Sequence, residues 1–113
     1  MPYISPVKVV ATTAYDRRAR KLLRPEERAS AELGIALAPE AWPVIPGTGG
    51  ARKARVARGG KGKRGGARIV YFVWIARSTL YLLDIYAKGA KENLTDDDKK
   101  EIRRTIDALR TET

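Results

Sequence analysis

Residues 67–75 read ARIVYFVWI, a run made almost entirely of β-branched, aromatic and aliphatic side chains. Such a run is typical of a strand that is covered on both faces, and therefore of a central position in a sheet. Residues 80–87 (LYLLDIYA) form a second apolar run after the polar pair Ser78 and Thr79, which predicts a neighbouring buried strand. The two segments place the centre of a sheet in the second half of the chain.

Two more strands are predicted outside this pair. Residues 51–58 (ARKARVAR) precede the central strand and are separated from it by the glycine-rich, cationic residues 59–66 (GGKGKRGG), a pattern typical of a hairpin with a long turn. Residues 6–13 (PVKVVATT) are short and β-branched and indicate a first strand. Because strands that follow one another in sequence favour antiparallel pairing, we predict a small antiparallel sheet.

Three helices complete the predicted fold. The first covers residues 14–23, the second begins at Pro25, and the third follows Thr95, a natural N-cap that precedes three aspartates. The second helix carries one apolar stripe, Ala29, Leu33 and Leu37. The third carries another, Ile102, Ile106 and Leu109. The predicted order is β-α-α-β-β-β-α, which indicates a single α+β domain over residues 1–113 with two N-terminal helices and one C-terminal helix.

The charge balance is strongly positive. The 23 Lys and Arg residues exceed the 13 Asp and Glu residues, for a net charge of +10. Such a field attracts polyanions such as nucleic acid or an acidic protein. No apolar run approaches the roughly 20 residues that span a bilayer, and the N-terminus lacks a signal-peptide pattern. Since the chain also has no Cys, we expect a cytoplasmic protein that does not act at a membrane.

The absence of His and Cys narrows the possible chemistry. It excludes Ser-His-Asp triads, cysteine nucleophiles and ordinary zinc sites. An enzyme built from this chain has to use Lys, Arg, Tyr, carboxylates and the backbone. We therefore expect activity without a metal ion or other cofactor.

The basic residues near the predicted sheet suggest where that chemistry would lie. Strand alternation puts Lys53 and Arg55 on one face, and Arg68 opens an otherwise apolar strand. A guanidinium in that position needs an anionic partner, for which a phosphate group and Asp84 are the alternatives. If the strands are antiparallel neighbours, Lys88 and Tyr86 lie near Arg68.

A cluster of this kind fits RNA cleavage, in which a 2′-hydroxyl attacks the adjacent phosphate and preorganised cations stabilise the added charge. A lysine or a tyrosine would serve as the base if its pKa, near 10 in the free side chain, fell by about three units. Neighbouring cations would lower it. The sequence leaves the base unassigned.

The catalytic candidates are Lys53, Arg55, Arg68, Tyr86 and Lys88. Candidates for RNA binding are Arg52, Lys61, Lys63, Arg64 and Lys91, of which those in the hairpin turn have solvation as the alternative.

Three motifs in the second half of the chain resemble the RelE/HigB toxins of bacterial type II toxin–antitoxin systems, within the RelE/ParE superfamily. They are IPGTGGARKARVA (45–57), GKGKRGGARIVYFVW (60–74) and LYLLDIYAKGAKENLTDDDKK (80–100). The resemblance implies a fold like that of small microbial ribonucleases. It also implies an mRNA endoribonuclease (an mRNA interferase) that acts in the ribosomal A site, inhibits translation and is silenced by a cognate antitoxin, typically a helix-turn-helix DNA-binding protein.

The family's basic positions carry over onto Lys53, Arg55, Arg68 and either Lys88 or Lys91. Members often have a tyrosine or histidine near the C-terminus, and this chain has neither after Tyr86. Two other functions stay open at this point. One is a non-nuclease toxin similar to the ParE branch, which inhibits DNA gyrase, and the other is a nucleic-acid-binding module without enzymatic activity.

Overall fold

The computed structural model describes residues 8–60, 66–90 and 93–111. They form four strands and three longer helices in the predicted order, together with one 3₁₀ turn at Ile75–Arg77. The elements are β1 (Lys8–Ala11), α1 (Thr13–Leu22), α2 (Pro25–Leu37), β2 (Arg52–Val56), β3 (Ala67–Trp74), β4 (Thr79–Ala87) and α3 (Asp96–Thr111). No helix in these three ranges has both the length and the apolar character needed to cross a bilayer.

The four strands form one sheet in the order β1-β4-β3-β2. The α+β class is confirmed, and β2, β3 and β4 pair antiparallel as predicted. The prediction of a wholly antiparallel sheet was wrong for β1, which runs parallel to β4. Two helices and two strands separate β1 from β4, so no tight turn fixes their relative direction. A parallel pair requires such a long connection.

The sheet has a hydrophobic core on each face. On one face Tyr15 of α1 and Ile35 of α2 pack with Ile69 and Leu82 of the sheet. On the other face, Ile106 and its neighbours in α3 pack with Val70 and Phe72. The central strand β3 is therefore covered on both sides, as its apolar run predicted.

The packing face of α2 differs from the predicted stripe. Leu33 and Leu37 are 59% and 58% exposed, whereas Ile35 is 2% exposed and packs in the core with Ala31 beside it. Spacing by four identified an apolar row but could not show which row contacts the sheet. The two leucines lie on the solvent side of the helix.

A bulge in β4 sets which side chains share a face. Val70 is paired with Asp84 and Tyr71 with Leu82, so Leu83 is an extra residue on β4. The insertion shifts the alternation of side chains by one position. Leu82 and Ile85 consequently belong to the core under α1 and α2, while Leu83 and Tyr86 pack on the α3 side.

Threonine residues cap the N-termini of α1 and α3. Thr12 ends the first strand instead of extending it, because its hydroxyl accepts the N–H of Tyr15 (3.2 Å) and donates to the carbonyl of Leu83 (3.1 Å). Thr95 caps α3 as predicted: its hydroxyl accepts the Asp98 N–H (3.1 Å), and the Asp98 carboxylate accepts the Thr95 N–H (3.0 Å). These two reciprocal bonds form a capping box.

The Tyr71 hydroxyl anchors residues 39–50 to the sheet by donating to the Pro39 carbonyl (2.7 Å). Burial raises the pKa of Tyr71 to about 12. Because the folded state favours the neutral phenol, this contribution to stability is complete below pH 10 and is lost as the pH rises to about 12.

We expect urea midpoints of Tyr71→Phe to be lower than wild type at pH 7 and to fall less steeply between pH 10 and 12. Parallel curves for the two proteins would contradict this assignment.

Candidate nucleic-acid interface

Three sequence-predicted site residues form one row across the sheet. Arg55 of β2 is the register partner of Arg68 in β3, and Arg68 is the partner of Tyr86 in β4. Directly paired residues share a face and have Cα atoms roughly 5 Å apart. The row therefore brings two guanidinium groups and a phenol onto the α3 side of the sheet.

Lys53 and Lys88 lie on opposite sides of this row, one toward each end of the strands. Lys53 is the partner of Val70, one side-chain step from Arg55 on the same face. Lys88 follows β4 directly, and its N–H donates to the Gly66 carbonyl (3.0 Å). It is two positions after Tyr86, so strand alternation assigns it to the same face. The register thus brings Lys53, Arg55, Arg68 and Tyr86 together, and Lys88 adjoins them at the end of β4.

The bulge in β4 is necessary for this convergence. Without the extra residue Leu83, Tyr86 would share the face of Leu80 and Leu82, beneath α1 and α2. Alternation alone, counted from Leu80, assigns Tyr86 to that wrong face. The sequence predicted the neighbourhood of Arg68 and Tyr86, and the bulge determines that both side chains are on one side.

Lys53 has a polar neighbour that the sequence did not single out. Its ammonium group donates to the side-chain oxygen of Asn93 (3.4 Å), just before the capping box of α3. The lysine is half-buried. A hint was present in the sequence, because Asn93 lies next to the apolar Leu94 and the Thr95 cap, but the contact depends on how α3 docks.

The sequence predicted Asp84 as the alternative anionic partner for Arg68, but in the structure Asp84 pairs with another arginine. Its carboxylate forms an ion pair with Arg18 of α1 and also accepts the N–H of Ile85 (2.8 Å). The half-buried guanidinium of Arg68 donates to the Ala67 carbonyl (3.3 Å). Asp84 is thus bound to α1. The Arg55–Arg68–Tyr86 row consists of two guanidinium groups and a phenol, all of which can donate hydrogen bonds.

Tyr86 is 6% exposed, and burial is the main cause that raises its pKa. Arg68 opposes this by lowering the pKa, and Asp84 and Asp98 add to the increase. The expectation that neighbouring cations would lower the pKa of a tyrosine base is therefore wrong for Tyr86, because desolvation outweighs the effect of Arg68. At neutral pH its hydroxyl is protonated and can donate.

Arg52 is separated from the cluster. It is the partner of Tyr71, on the α1–α2 side, and its guanidinium donates to the carbonyls of Trp42 (2.6 Å) and Glu40 (3.2 Å). These bonds anchor the loop before β2, so the structure gives Arg52 a local role there. Four other RNA-binding candidates lie outside the described residues: Lys61, Lys63, Arg64 and Lys91.

Two solved structures have the same fold. A mutant of E. coli toxin RelE in the free state matches with a TM-score of 0.57 and 17% sequence identity, over 79% of this chain and 90% of that chain. The isolated E. coli RelE toxin matches with a TM-score of 0.53 and 14% identity, over 87% of this chain and 97% of that chain. At these identities the matches support the α+β architecture.

The sequence also matches a family model described as the RelE toxin of the RelE/RelB toxin-antitoxin system, over residues 46–112. This range is more than half of the chain and includes β2, β3, β4 and α3, the elements that surround the Arg55–Arg68–Tyr86 row. The resemblance to RelE toxins drawn from the sequence motifs is confirmed. The protein belongs to the RelE toxin family of toxin–antitoxin systems.

Proposed function

We propose that this protein is a metal-independent endoribonuclease that cleaves mRNA, acts on ribosome-bound transcripts and thereby inhibits translation. The observation that carries the proposal is the convergence of Lys53, Arg55, Arg68 and Tyr86 on one face of the sheet, with Lys88 directly after β4 beside them. A phosphodiester brought to this face would meet several charge-assisted donors at once. Membership of a toxin family supports the same conclusion.

The proposed reaction uses the RNA's own nucleophile. The 2′-oxygen forms a bond to the adjacent phosphorus while the bond from phosphorus to the 5′-oxygen breaks, which leaves a 2′,3′-cyclic phosphate and a 5′-hydroxyl. The 2′-proton passes to a base, and a donor returns a proton to the leaving 5′-oxygen. Arg55 and Arg68 stabilise the charge on the phosphoryl oxygens.

The raised pKa of Tyr86 favours a donor over a base for this residue. Because its hydroxyl is buried in this structure, the phenol would donate to a phosphoryl oxygen or to the leaving oxygen once RNA binding displaces the side chains that cover it. A lysine of the cluster, Lys53 or Lys88, is then the candidate to accept the 2′-proton. This division of roles follows from burial of the tyrosine and exposure of Lys88.

A cognate antitoxin, with a helix-turn-helix DNA-binding part, would keep the toxin inactive in the cytoplasm. The family model refers to a toxin–antitoxin pair, and a net charge of +10 suits an acidic partner. The antitoxin would compete with RNA for the cationic face if its acidic segment reaches that face.

Mapping of transcript 5′ ends after induction tests the proposal. We expect new 5′-hydroxyl ends within coding regions, at codon-related positions, and the purified protein should cut in the presence of EDTA. Intact transcripts with stalled replication would instead indicate a gyrase inhibitor. Intact transcripts with RNA bound but uncut would indicate a binding module without catalysis.

A further inference from the structure

The two flanks of α3 differ in charge. On one flank, Asp98 and Glu101 border a cleft of about 270 Å³ together with Arg18 of α1. On the other flank, Lys99 and Arg103 lie against the glycine-rich loop before β2. The Cδ atom of Lys99 is 3.8 Å from where a Cβ on Gly47 would stand, and the Cγ atom of Arg103 is 3.6 Å from the equivalent point on Gly49.

The loop under these cations is nearly bare backbone. Gly47, Gly49 and Gly50 all have positive φ values of 83°, 79° and 119°, a conformation that glycine adopts without penalty. The one side chain among them, Thr48, is fully buried and holds the turn through the Ile45 carbonyl (2.7 Å) and the Ala51 N–H (3.0 Å). The alkyl parts of Lys99 and Arg103 lie against this backbone, and Arg110 donates to the Gly49 carbonyl (3.2 Å), so the loop supports the cations of this flank.

The cations on this flank have no ion pair with a carboxylate among the described residues, unlike most arginines of the helices. Arg18 forms an ion pair with Asp84 of β4, and Arg20 and Arg28 form ion pairs with Asp16 of α1. Within the ranges that the structure describes, neither Lys99 nor Arg103 has a carboxylate within ion-pair distance. Lys53, Arg55 and Lys88 share that property. Among the described residues, cations without an ion pair thus occur around β2, at the end of β4 and on one flank of α3, and also on α1 at Arg17 and Lys21.

These cations continue from the candidate catalytic row. β2 follows the glycine loop directly, and Lys53 contacts Asn93, three residues before α3 begins. Lys99 and Arg103 are one helical turn apart, an axial separation of about 6 Å. Such a separation is comparable to that of successive phosphates in an extended strand.

We propose that Lys99 and Arg103, over the Gly47–Gly50 loop, form a second phosphate-binding site that holds the RNA backbone next to the scissile position. We call it the α3 track. The proposal deepens the proposed function, because it assigns the path of the same RNA strand beyond the cleavage row. Two cations one helical turn apart, beside a glycine loop that adds no protruding side chain, suit a phosphate backbone, whereas an acidic protein segment would also be expected to use an apolar pocket.

The test uses a double variant, Lys99→Gln/Arg103→Gln, and a matched control, Arg17→Gln/Lys21→Gln. The control removes the same charge from exposed cations on α1 that likewise have no ion pair among the described residues. The probes are 2′-O-methyl RNA oligonucleotides of three and twelve nucleotides, which bind but cannot react. Binding is measured by fluorescence anisotropy over a series of salt concentrations.

For the twelve-nucleotide probe we expect the slope of log K against log salt to become less negative by about 1.4 in the α3-track variant, since each lost phosphate contact on a single strand changes it by about 0.7. The trinucleotide, which covers only the cleavage row, should bind equally to variant and wild type. The control variant should keep the wild-type slope for both probes.

An unchanged slope, an equal loss on both probes, or the same loss in the control would overturn the α3 track. So would a variant that loses binding to a poly-glutamate peptide but keeps binding to RNA, which would indicate an acidic protein partner. Thermal melting confirms folding, and the single variant Arg103→Gln at an exposed position serves if the double variant is unstable. Cleavage of unmodified RNA is assayed separately, so a failure of the nuclease function is distinguishable from a failure of the track.

Discussion

Replacement of Arg68 by alanine is expected to lower the rate of RNA cleavage by about two to three orders of magnitude and to abolish growth arrest. Arg68 is the middle residue of the Arg55–Arg68–Tyr86 row, and in the proposed function its guanidinium binds the phosphate where charge accumulates in the transition state. Loss of one preorganised donor of this kind typically reduces the rate by about 10² to 10³. A lysine at this position keeps the charge but loses the bidentate fork, so Arg68→Lys should retain part of the activity.

The Arg68→Ala variant should stay folded and should still bind the antitoxin. The Arg68 side chain is half-buried and is outside the two hydrophobic clusters, so its removal opens no large cavity. Single-turnover cleavage rates and urea midpoints separate the two effects, with Arg17→Ala as a control that removes an exposed cation from α1. Undiminished cleavage by a folded Arg68→Ala protein would exclude the row as the catalytic site.

The largest effect on stability is expected from Ile69→Ala. Ile69 of β3 is fully buried in the core between the sheet and the α1–α2 layer. Truncation of such a residue leaves a cavity and typically costs about 2–5 kcal/mol. For a domain whose total stability is of the order of 5–15 kcal/mol, this is a large fraction, so we expect a strongly lowered urea midpoint.

Ile75→Ala provides a matched control for that experiment. The same atoms are removed at Ile75, which is 57% exposed at the end of β3, so the change in unfolding free energy should be within about 0.5 kcal/mol. The denaturant dependence of unfolding should be similar in both variants and wild type. Comparable losses in the two variants would show that β3 is not the centre of the core.

The candidate site shows where sequence patterns stop being informative. Alternation correctly placed Lys53 with Arg55, because an undistorted strand has a period of two. The same rule could not place Tyr86, since one inserted residue, Leu83, reverses the face of everything that follows it. Arg52 is a third case, because only the docked loop shows that its guanidinium is bound by backbone carbonyls.

In the helices, too, some features were predictable from the sequence and others depend on tertiary contacts. The Thr95 cap and the apolar row of α3 were predictable, because capping and periodicity are local properties. The orientation of α2 was not, because Leu33 and Ile35 are equally apolar and only contact with the sheet distinguishes them. Likewise, Lys99 and Arg103 are an ordinary i, i+4 pair until α3 is docked beside the glycine loop.

The sequence by itself determined the order of the elements, the central position of β3, the strong positive charge and the exclusion of histidine and cysteine chemistry. These depend on composition and on spacing over a few residues. The tertiary structure alone decided the parallel pairing of β1, the shared face of Arg68 and Tyr86, and the raised pKa of Tyr86. Each depends on which segments exclude water from one another, and that is a property of contacts between residues far apart in the chain.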